Sequence, residues 1–378
     1  MGLTVLRRLA LLLPLLVVGG CATVQDFLDT LNAGRGAASV PLEDRPVEEP
    51  GPRNEFILIS AEQSVIGEPQ VVFTRGQDTL PDLAREYGLG FDELVEANPG
   101  VSPWLPGDGT PILLPTQYVL PDVPREGVVL NIANKRLFYF PDSADGEPQK
   151  VFTYPIGIGR VGWETPLGSA RVIAKATDPA WYVPASVRRE HAEMGDPLPS
   201  VVPPGPDNPL GAHVLKLDMP GYLIHGTNQP YGVGMRVSHG CVRLYPENIE
   251  LLYSFVDIGE QVMIVNEPYL LGMLDGEVYF EAHAPLEDDT VASDERLDGL
   301  LAEHDASLNR PAKNHIRSVA SAASGVPARV YSYDVDEVFD RVQVVRNTVE
   351  FDPENPTLEE VRVLIDEAVR EADEGQSK

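Results

Sequence analysis

Between Glu126 and Asn266 the chain consists of short apolar runs separated by turn residues, and this pattern constrains the fold more than any other feature. The runs are GVVLNI, RLFYF, KVFTYPIGIG, SARVIAKA, HVLKL, YLIHG and QVMIV. Runs of this length, rich in β-branched and aromatic residues, are typical of strands. One helical pattern interrupts them, PENIELLYSFV, with Pro246 in its first turn. The pattern predicts a mainly β domain with one short helix over residues 126–266.

A long proline-rich segment lies inside this domain, from Thr177 to Gly211, and contains Trp181 and Tyr182. A plain connection in a compact domain is usually much shorter, and long ordered loops are often functional. We therefore expect residues 177–211 to form a lid loop.

The region before this domain has a different pattern. From Val71 to Pro115 a β-type start, two short helical patterns and a closing apolar run predict a small βααβ module over residues 69–117. Thr79 and Asp92 mark the helix starts. A chain of 378 residues is too long for one ordinary core, so several such units are expected.

Two further segments lack sustained apolar periodicity. Residues 21–68 are rich in Pro, Glu, Gly and Ser, which predicts a flexible tether. Residues 267–378 form an acidic C-terminal extension that is partly helical, because Thr357 and Glu360 have capping-box spacing before a terminal amphipathic pattern. The apolar face of that helix packs on the protein itself or serves a partner.

The N-terminus has the pattern of an export signal. Arg7 and Arg8 precede the apolar run LALLLPLLVV, which is too short to span a bilayer. The run ends in VVGGC at Cys21, and this resembles the bacterial lipoprotein signal, in which the cysteine is lipidated. Residues 1–20 are then the signal peptide, and Ala22 after the cysteine implies a periplasmic protein with a lipid anchor in the outer membrane. The alternative is an ordinary secretory signal in which Cys21 is incidental.

Charge excludes one class of partner. The chain has 29 Lys and Arg residues against 58 Asp and Glu residues, a formal net charge of −29. No basic tract is present that could pair repeatedly with phosphates, so nucleic acid is not an expected partner.

Four residues that can perform chemistry stand close together in sequence: His225, Ser238, His239 and Cys241. If Cys21 is acylated, Cys241 has no disulfide partner. A cysteine attacks as its thiolate and needs a neighbouring base to supply that form at neutral pH. Cys241 is therefore a nucleophile, a metal ligand or a small buried side chain.

The residues around Cys241 favour the first of these functions. The carbonyl of Gly226 could orient the His225 imidazole, and Gly240 allows a sharp turn with accessible backbone N–H groups. The guanidinium of Arg243 suits a carboxylate. A zinc site from His213, His225, His239 and Cys241 is the rival reading, but paired-ligand spacing is missing, so no metal and no cofactor are expected.

Two stretches of the sequence each resemble a known protein family. The stretch HGTNQPYGVGMRVSHGCVRL, reinforced by PIGIGRVGWETPLG and VPPGPDNPLG, resembles the signature of the L,D-transpeptidases, which have a YkuD-type β-sandwich fold. Residues 71–115, through GQDTL, YGL, LVEANP and ILLP, resemble a LysM module, a family that binds glycans such as peptidoglycan. The entry FTRGQ departs from the usual LysM pattern, so a module that does not bind glycan is the alternative.

The first resemblance implies roles for individual residues. Cys241 is the nucleophile and His225 the general acid and base, oriented by the Gly226 carbonyl. Ser238, His239 and Gly240 shape the site and its oxyanion environment, and Arg243 binds substrate.

The implied reaction is thioester formation with a peptidoglycan tetrapeptide stem, release of D-alanine, and transfer to an amine. The amine belongs to another stem, giving 3-3 cross-links, or to a lysine of an outer-membrane lipoprotein. Alternatives are a hydrolase of the same linkages and a non-catalytic peptidoglycan-binding lipoprotein. A papain-like peptidase is disfavoured because such enzymes place Cys before His.

Overall fold

The computed structural model describes residues 41–51, 53–144, 146–331 and 341–350. The expected signal peptide, Cys21 and the helix after Thr357 lie outside these described residues. Within them, no helix has both the length and the apolar character needed to cross a bilayer.

The described elements are mostly short strands. The strands are β1 (Val47–Glu48), β2 (Glu55–Ile57), β3 (Val65–Gly67), β4 (Gln70–Phe73), β5 (Pro111–Leu114), β6 (Gln117–Val119), β7 (Gly127–Asn131), β8 (Arg136–Phe140), β9 (Lys150–Pro155), β10 (Ile158–Gly159), β11 (Gly168–Thr177), β12 (Trp181–Tyr182), β13 (Val201–Val202), β14 (His213–Leu217), β15 (Leu223–His225), β16 (Arg236–Ser238), β17 (Val242–Arg243), β18 (Gln261–Val265), β19 (Tyr269–Leu274), β20 (Glu277–Ala282), β21 (Ala328–Arg329) and β22 (Gln343–Val345). The helices are α1 (Leu80–Glu86), α2 (Phe91–Ala97), α3 (Ala185–Glu193), α4 (Pro246–Phe255), α5 (Ser293–Glu303) and α6 (Arg310–Ala322), with 3₁₀ turns at Leu42–Asp44 and Pro230–Gly232.

A nine-stranded sheet, here called the main sheet, forms the centre of the fold, in the order β17-β15-β14-β11-β18-β7-β8-β9-β2. Strand β11 belongs to both halves: Gly168 to Arg171 pair with β18, and Val172 to Thr177 pair with β14, with a register shift between Val172 and Ala174. A bulge of this kind bends a strand. The mainly β fold predicted from the sequence is confirmed, and the two layers of the sandwich are halves of one bent sheet.

The two halves of the main sheet cover one apolar core. Its members alternate along their strands with residues that face outwards, as a half-buried strand requires. They include Val128, Leu130, Leu137, Tyr139, Tyr154, Leu215, Leu217, Ile224, Val242 and Ile264, with Ile249 and Leu252 contributed by α4.

The lid segment, residues 177–211, differs from the plain loop that the sequence predicts. Its strands β12 and β13 pair with each other, and helix α3 lies between them. The prediction of one short helix in residues 126–266 was therefore wrong. The apolar pattern misses α3 because Val187 is its only buried residue.

The module over residues 69–117 has the order β4, α1, α2, β5, which is the βααβ order that the sequence predicts. Thr79 caps α1 by accepting a hydrogen bond from the backbone N–H of Asp82, and Glu93 accepts one from the Gly90 N–H at the start of α2. The resemblance to LysM modules remains a prediction.

The module packs against the outer face of the main sheet, and its helices share a core with Val129, Phe138 and Phe140. A buried ion pair links the two: Arg136 of β8 donates to both carboxylate oxygens of Glu93 at 3.0 and 2.7 Å. The Arg136 guanidinium also stacks over the Tyr118 ring, 4.0 Å from its centroid. These contacts make the module and the main sheet parts of one packed body.

The tether predicted over residues 21–68 needs correction for its described part. Strand β2 extends the main sheet beside β9, β3 pairs with β6, and β1 pairs with β22. Phe56, Val65 and Ile66 are buried. Their apolar runs are too short to produce a periodic signal, and their partners lie far along the chain.

The C-terminal extension forms a second small structure. Strands β19, β20 and β21 make an antiparallel sheet, and helices α5 and α6 cover it. Strand β22 then returns to the module and pairs in parallel with β4. The part of the extension that the structure describes is thus partly helical and partly sheet.

Candidate active site

Strand pairing brings His225 and Cys241 onto one face of the main sheet. Strands β15 and β17 are parallel neighbours, with Ile224 opposite Val242 and His225 opposite Arg243. Opposite residues in paired strands point to the same face, and successive residues alternate. Since Ile224 and Val242 enter the core, His225, Arg243 and Cys241 face outwards together.

The His225 imidazole is buried, and its Nδ1 lies 2.6 Å from the carbonyl oxygen of Gly226. A carbonyl only accepts hydrogen bonds, so Nδ1–H is the donor and Nε2 is the unprotonated nitrogen of the neutral ring. Burial, together with the positive charge of Arg243, lowers the pKa of His225 to about 3. His225 is therefore a neutral imidazole whose ring is held by Gly226, as the resemblance implies.

Cys241 is half-buried, and its thiol donates to the carbonyl of Gly221 at 3.6 Å. Burial raises the pKa of the thiol above its ordinary value. The resting pair is thus a neutral thiol beside a neutral imidazole. A thiolate can form at Cys241 only if another group accepts the thiol proton.

The turn from Ser238 to Cys241 is fixed by its own hydrogen bonds. Ser238 Oγ donates to the Cys241 carbonyl at 2.5 Å and accepts from the Gly240 N–H at 3.2 Å. Gly240 has φ +96°, and a Cβ there would lie 2.9 Å from Tyr222 Cε1. The Gly240 N–H is therefore hydrogen-bonded within the turn. The contribution of Gly240 to the site is a backbone conformation that leaves no room for a side chain.

His239 faces the lid segment. Its Nε2–H donates to Glu190 Oε2 of α3 at 2.7 Å, and its ring stands edge-on to Trp163. Arg160 donates to the other oxygen of Glu190 at 2.5 Å, and Trp163 Nε1 donates to that oxygen at 3.3 Å. Burial lowers the pKa of His239. The histidine beside Cys241 in sequence therefore contacts the lid segment, whereas the more distant His225 is held by the backbone carbonyl of Gly226.

Arg243 is the cation nearest to the pair in the strand register. Its Nε is buried and has no hydrogen-bond partner among the residues described by the structure. Burial lowers the pKa of its guanidinium. A half-buried guanidinium whose Nε–H is unused is suited to an anionic group of a substrate.

A cavity of about 860 Å³ lies over these residues. Its walls come from the outer face of β11, β14, β15 and β17 and from the lid segment; they include Trp163, Trp181, Lys216, His225, Cys241 and Arg243. This volume suits a peptide-sized ligand.

Sequence reasoning missed the contribution of Glu190 and Arg160 to this site, and that of Lys216. The sequence does indicate the position of Lys216. In the strand HVLKL, Leu215 and Leu217 point into the core, so Lys216 between them points to the outer face.

The structure does not bring together the four residues of the rival zinc reading. His213 packs against Tyr253 of α4, with ring centroids 4.7 Å apart, on the core side of the sheet. No group of three or more possible metal ligands clusters in the described ranges.

Comparison with known proteins gives a consistent family. A model of the YkuD family, described as the L,D-transpeptidase catalytic domain, matches residues 125–264. The probable L,D-transpeptidase YbiS of Escherichia coli is 42% identical over 226 residues, which is 59% of this chain and 72% of that protein. The probable L,D-transpeptidase YcfS of the same organism is 40% identical over 243 residues, 63% of this chain and 75% of that protein.

A solved L,D-transpeptidase from Mycobacterium smegmatis is 22% identical, covers 39% of this chain and 61% of its own, and has a TM-score of 0.27. The family assignment rests on the two Escherichia coli proteins, because this chain matches 72% and 75% of their lengths. The chain belongs to the L,D-transpeptidase family.

Proposed function

We propose that this protein is a peptidoglycan L,D-transpeptidase that uses Cys241 as its nucleophile and a tetrapeptide stem as its acyl donor. The observation that supports this most directly is the pairing of β15 with β17. It places Cys241 and His225 on one face and in one cavity, with the His225 ring held through Nδ1. The pair is the minimum needed for acyl transfer through a thioester.

In the first step, His225 Nε2 takes the thiol proton while the sulfur attacks the carbonyl at the L-centre of diaminopimelate. The tetrahedral intermediate then collapses and the C–N bond to D-alanine breaks. His225 gives its proton to the departing amine. The products are an acyl-thioester at Cys241 and free D-alanine.

In the second step, an acceptor amine attacks the thioester. His225 takes a proton from the amine, an amide forms, and the thiol of Cys241 is regenerated. An amine of another stem gives a 3-3 cross-link, and a lysine of an outer-membrane lipoprotein gives wall anchoring. Both acceptors use the same acyl-enzyme.

Arg243 is the proposed carboxylate-binding residue of this reaction. It lies two positions beyond Cys241, and its guanidinium lines the same cavity with Nε unused by the described residues. The carboxylate of the departing D-alanine is close to the scissile bond, and Arg243 is the cation placed to receive it.

The lid segment keeps water from the thioester in this proposal. Residues of β12 and α3 line the cavity, and Glu190 ties α3 to Arg160, Trp163 and His239. A thioester that meets water before an amine is lost to hydrolysis, so a closed lid favours transfer.

Localisation and glycan binding complete the proposal. The N-terminal signal supports export, and lipidation at Cys21 would hold the protein at the outer membrane on the periplasmic side. The βααβ module would bind the glycan strands of the wall, as its resemblance to LysM implies. Loss of lipid labelling in a Cys21→Ala variant in cells would test the anchor.

The test of the activity is incubation of the purified protein with tetrapeptide muropeptides, with and without a lysine-containing acceptor peptide, followed by mass spectrometry. We expect D-alanine release and a cross-linked or peptide-linked product, and we expect neither from Cys241→Ala. Tripeptide alone, even at high acceptor concentration, would show a hydrolase. An unchanged substrate with the wild-type protein would leave only wall binding.

A further inference from the structure

The charged side chains that line the cavity over Cys241 are mostly cationic, although the chain as a whole is acidic. In a chain with a formal net charge of −29, the charged groups on its walls include Lys175, Lys216 and Arg243, and the carboxylate among them is Asp196. Asp196 lies 3.5 Å from His191. A cleft of one sign in a protein of the other sign attracts ligands of opposite charge.

Two of these cations are available to a ligand. Lys175 is already held, because its ammonium donates to the carbonyls of Tyr253 and Val256. The side chain of Lys216 makes no hydrogen bond or ion pair with the rest of the described chain. Lys216 and Arg243 are therefore the ammonium and guanidinium that face the cavity with unused donors.

The strand register fixes where Lys216 stands relative to the nucleophile. Lys216 of β14 is opposite Leu223 of β15, and the parallel pairing of β15 with β17 aligns Leu223 with Cys241. Lys216 and Cys241 thus lie in one row across three strands, about 10 Å apart at their Cα atoms for a strand spacing near 4.8 Å. Arg243 lies in the next row, opposite His225.

The two cations consequently suit two different carboxylates of one acyl donor. The carboxylate of the departing D-alanine is adjacent to the scissile bond, which Arg243 can reach. In diaminopimelate a second carboxylate ends the side chain, about 7 Å from the carbonyl under attack when the chain is extended at ordinary bond lengths. That separation plus one hydrogen bond of about 2.8 Å gives about 10 Å, which matches the row from Cys241 to Lys216.

We propose that Lys216 binds the side-chain carboxylate of the acyl-donor residue and so selects donors of the diaminopimelate type over donors of the lysine type. The inference rests on the proposed function, since it assigns a subsite for the same reaction. A lysine-type stem has the same aliphatic side chain and ammonium but no distal carboxylate, so it leaves Lys216 without a partner.

The experiment measures binding and does not require catalysis. In a Cys241→Ala background, isothermal calorimetry compares a diaminopimelate tetrapeptide with the matching lysine tetrapeptide. We expect Lys216→Met to weaken the first by about fivefold, the upper end of the range for a partly exposed ion pair, and to leave the second within about twofold. Lys216→Glu should reverse the preference, and Lys216→Arg should retain it.

Lys150→Met is the matched control, because Lys150 is on β9, outside the cavity walls, and pairs with Glu55. It should alter neither affinity. If Lys216→Met weakens both donors equally or neither, the proposed subsite is wrong. If the proposed function itself is wrong, the result is different: the wild-type protein forms no thioester with either donor.

Discussion

The attachment of the lid segment through Glu190 gives a quantitative prediction. Glu190 accepts three hydrogen bonds, from Arg160 at 2.5 Å, from His239 at 2.7 Å and from Trp163 at 3.3 Å. In Glu190→Gln the side chain loses its charge, and its NH₂ group replaces one of the two carboxylate oxygens that accept from Arg160 and His239. At least one charge-assisted hydrogen bond is therefore lost.

A charge-assisted hydrogen bond contributes about 1.5–3 kcal/mol. The Glu190 side chain is 28% exposed, so solvent screening reduces the expected loss to about 1–2 kcal/mol. That loss lowers the ratio of closed to open lid by a factor of about 5–30. If the closed lid excludes water from the thioester, the ratio of hydrolysis to transfer should rise by up to the same factor.

The assay is a single-turnover reaction of the acyl-enzyme at a fixed acceptor concentration, with tripeptide and transfer product quantified by mass spectrometry. Glu193→Gln is the matched control, since it removes the same charge from an exposed position of the same helix. A His239→Gln variant should shift the ratio in the same direction, and the double variant should be less than additive. Equal ratios in Glu190→Gln and Glu193→Gln would refute the role of Glu190 in lid closure.

Three further predictions concern the base, acid stability and the buried ion pair. His225→Gln should lower the acylation rate by about 10²–10⁴-fold, the range of general base catalysis, whereas His239→Gln should retain acylation; a large loss confined to His239→Gln in stopped-flow acylation would reverse the assignment. The His225 pKa of about 3 lies below its value in the unfolded chain, so the unfolded state binds the extra proton and stability falls as pH drops below about 6.5. Between pH 7 and 5 the wild type should lose about 2 kcal/mol more than His225→Gln in urea unfolding, and equal losses would show that His225 titrates normally. Arg136→Met leaves Glu93 buried without its partner and should cost about 3–5 kcal/mol, measured by the same method, while Arg85→Met removes a half-exposed pair with Glu247 and should cost under about 1 kcal/mol.

Local signals predicted those parts of the fold whose causes are local. Thr79 caps α1, Pro246 begins α4, and the alternating runs of residues 126–266 became strands of the main sheet. The motif names both His225 and Cys241, and the pairing of β15 with β17 brings them to one face; their catalytic roles stay a prediction.

The parts that the sequence did not predict depend on distant partners. Residues 41–68 lack periodicity because β1 and β2 pair with strands that lie far along the chain, β22 and β9. Helix α3 is held in place by the polar contacts of Glu190 with Arg160 and His239. An apolar periodicity therefore does not predict it.

The titration of the catalytic pair follows from its surroundings more than from any one neighbour. Burial is the largest cause of both shifts, lowering the pKa of His225 and raising that of Cys241. The charge of Arg243 opposes protonation of His225 but favours the thiolate of Cys241, so its two effects on proton transfer within the pair oppose each other. Burial therefore sets the cost of separating charge in the resting site. In the proposed reaction that cost falls only when the sulfur bonds to the substrate carbonyl carbon and the negative charge moves to the carbonyl oxygen, so we expect the arriving substrate, and not a preformed thiolate, to activate Cys241.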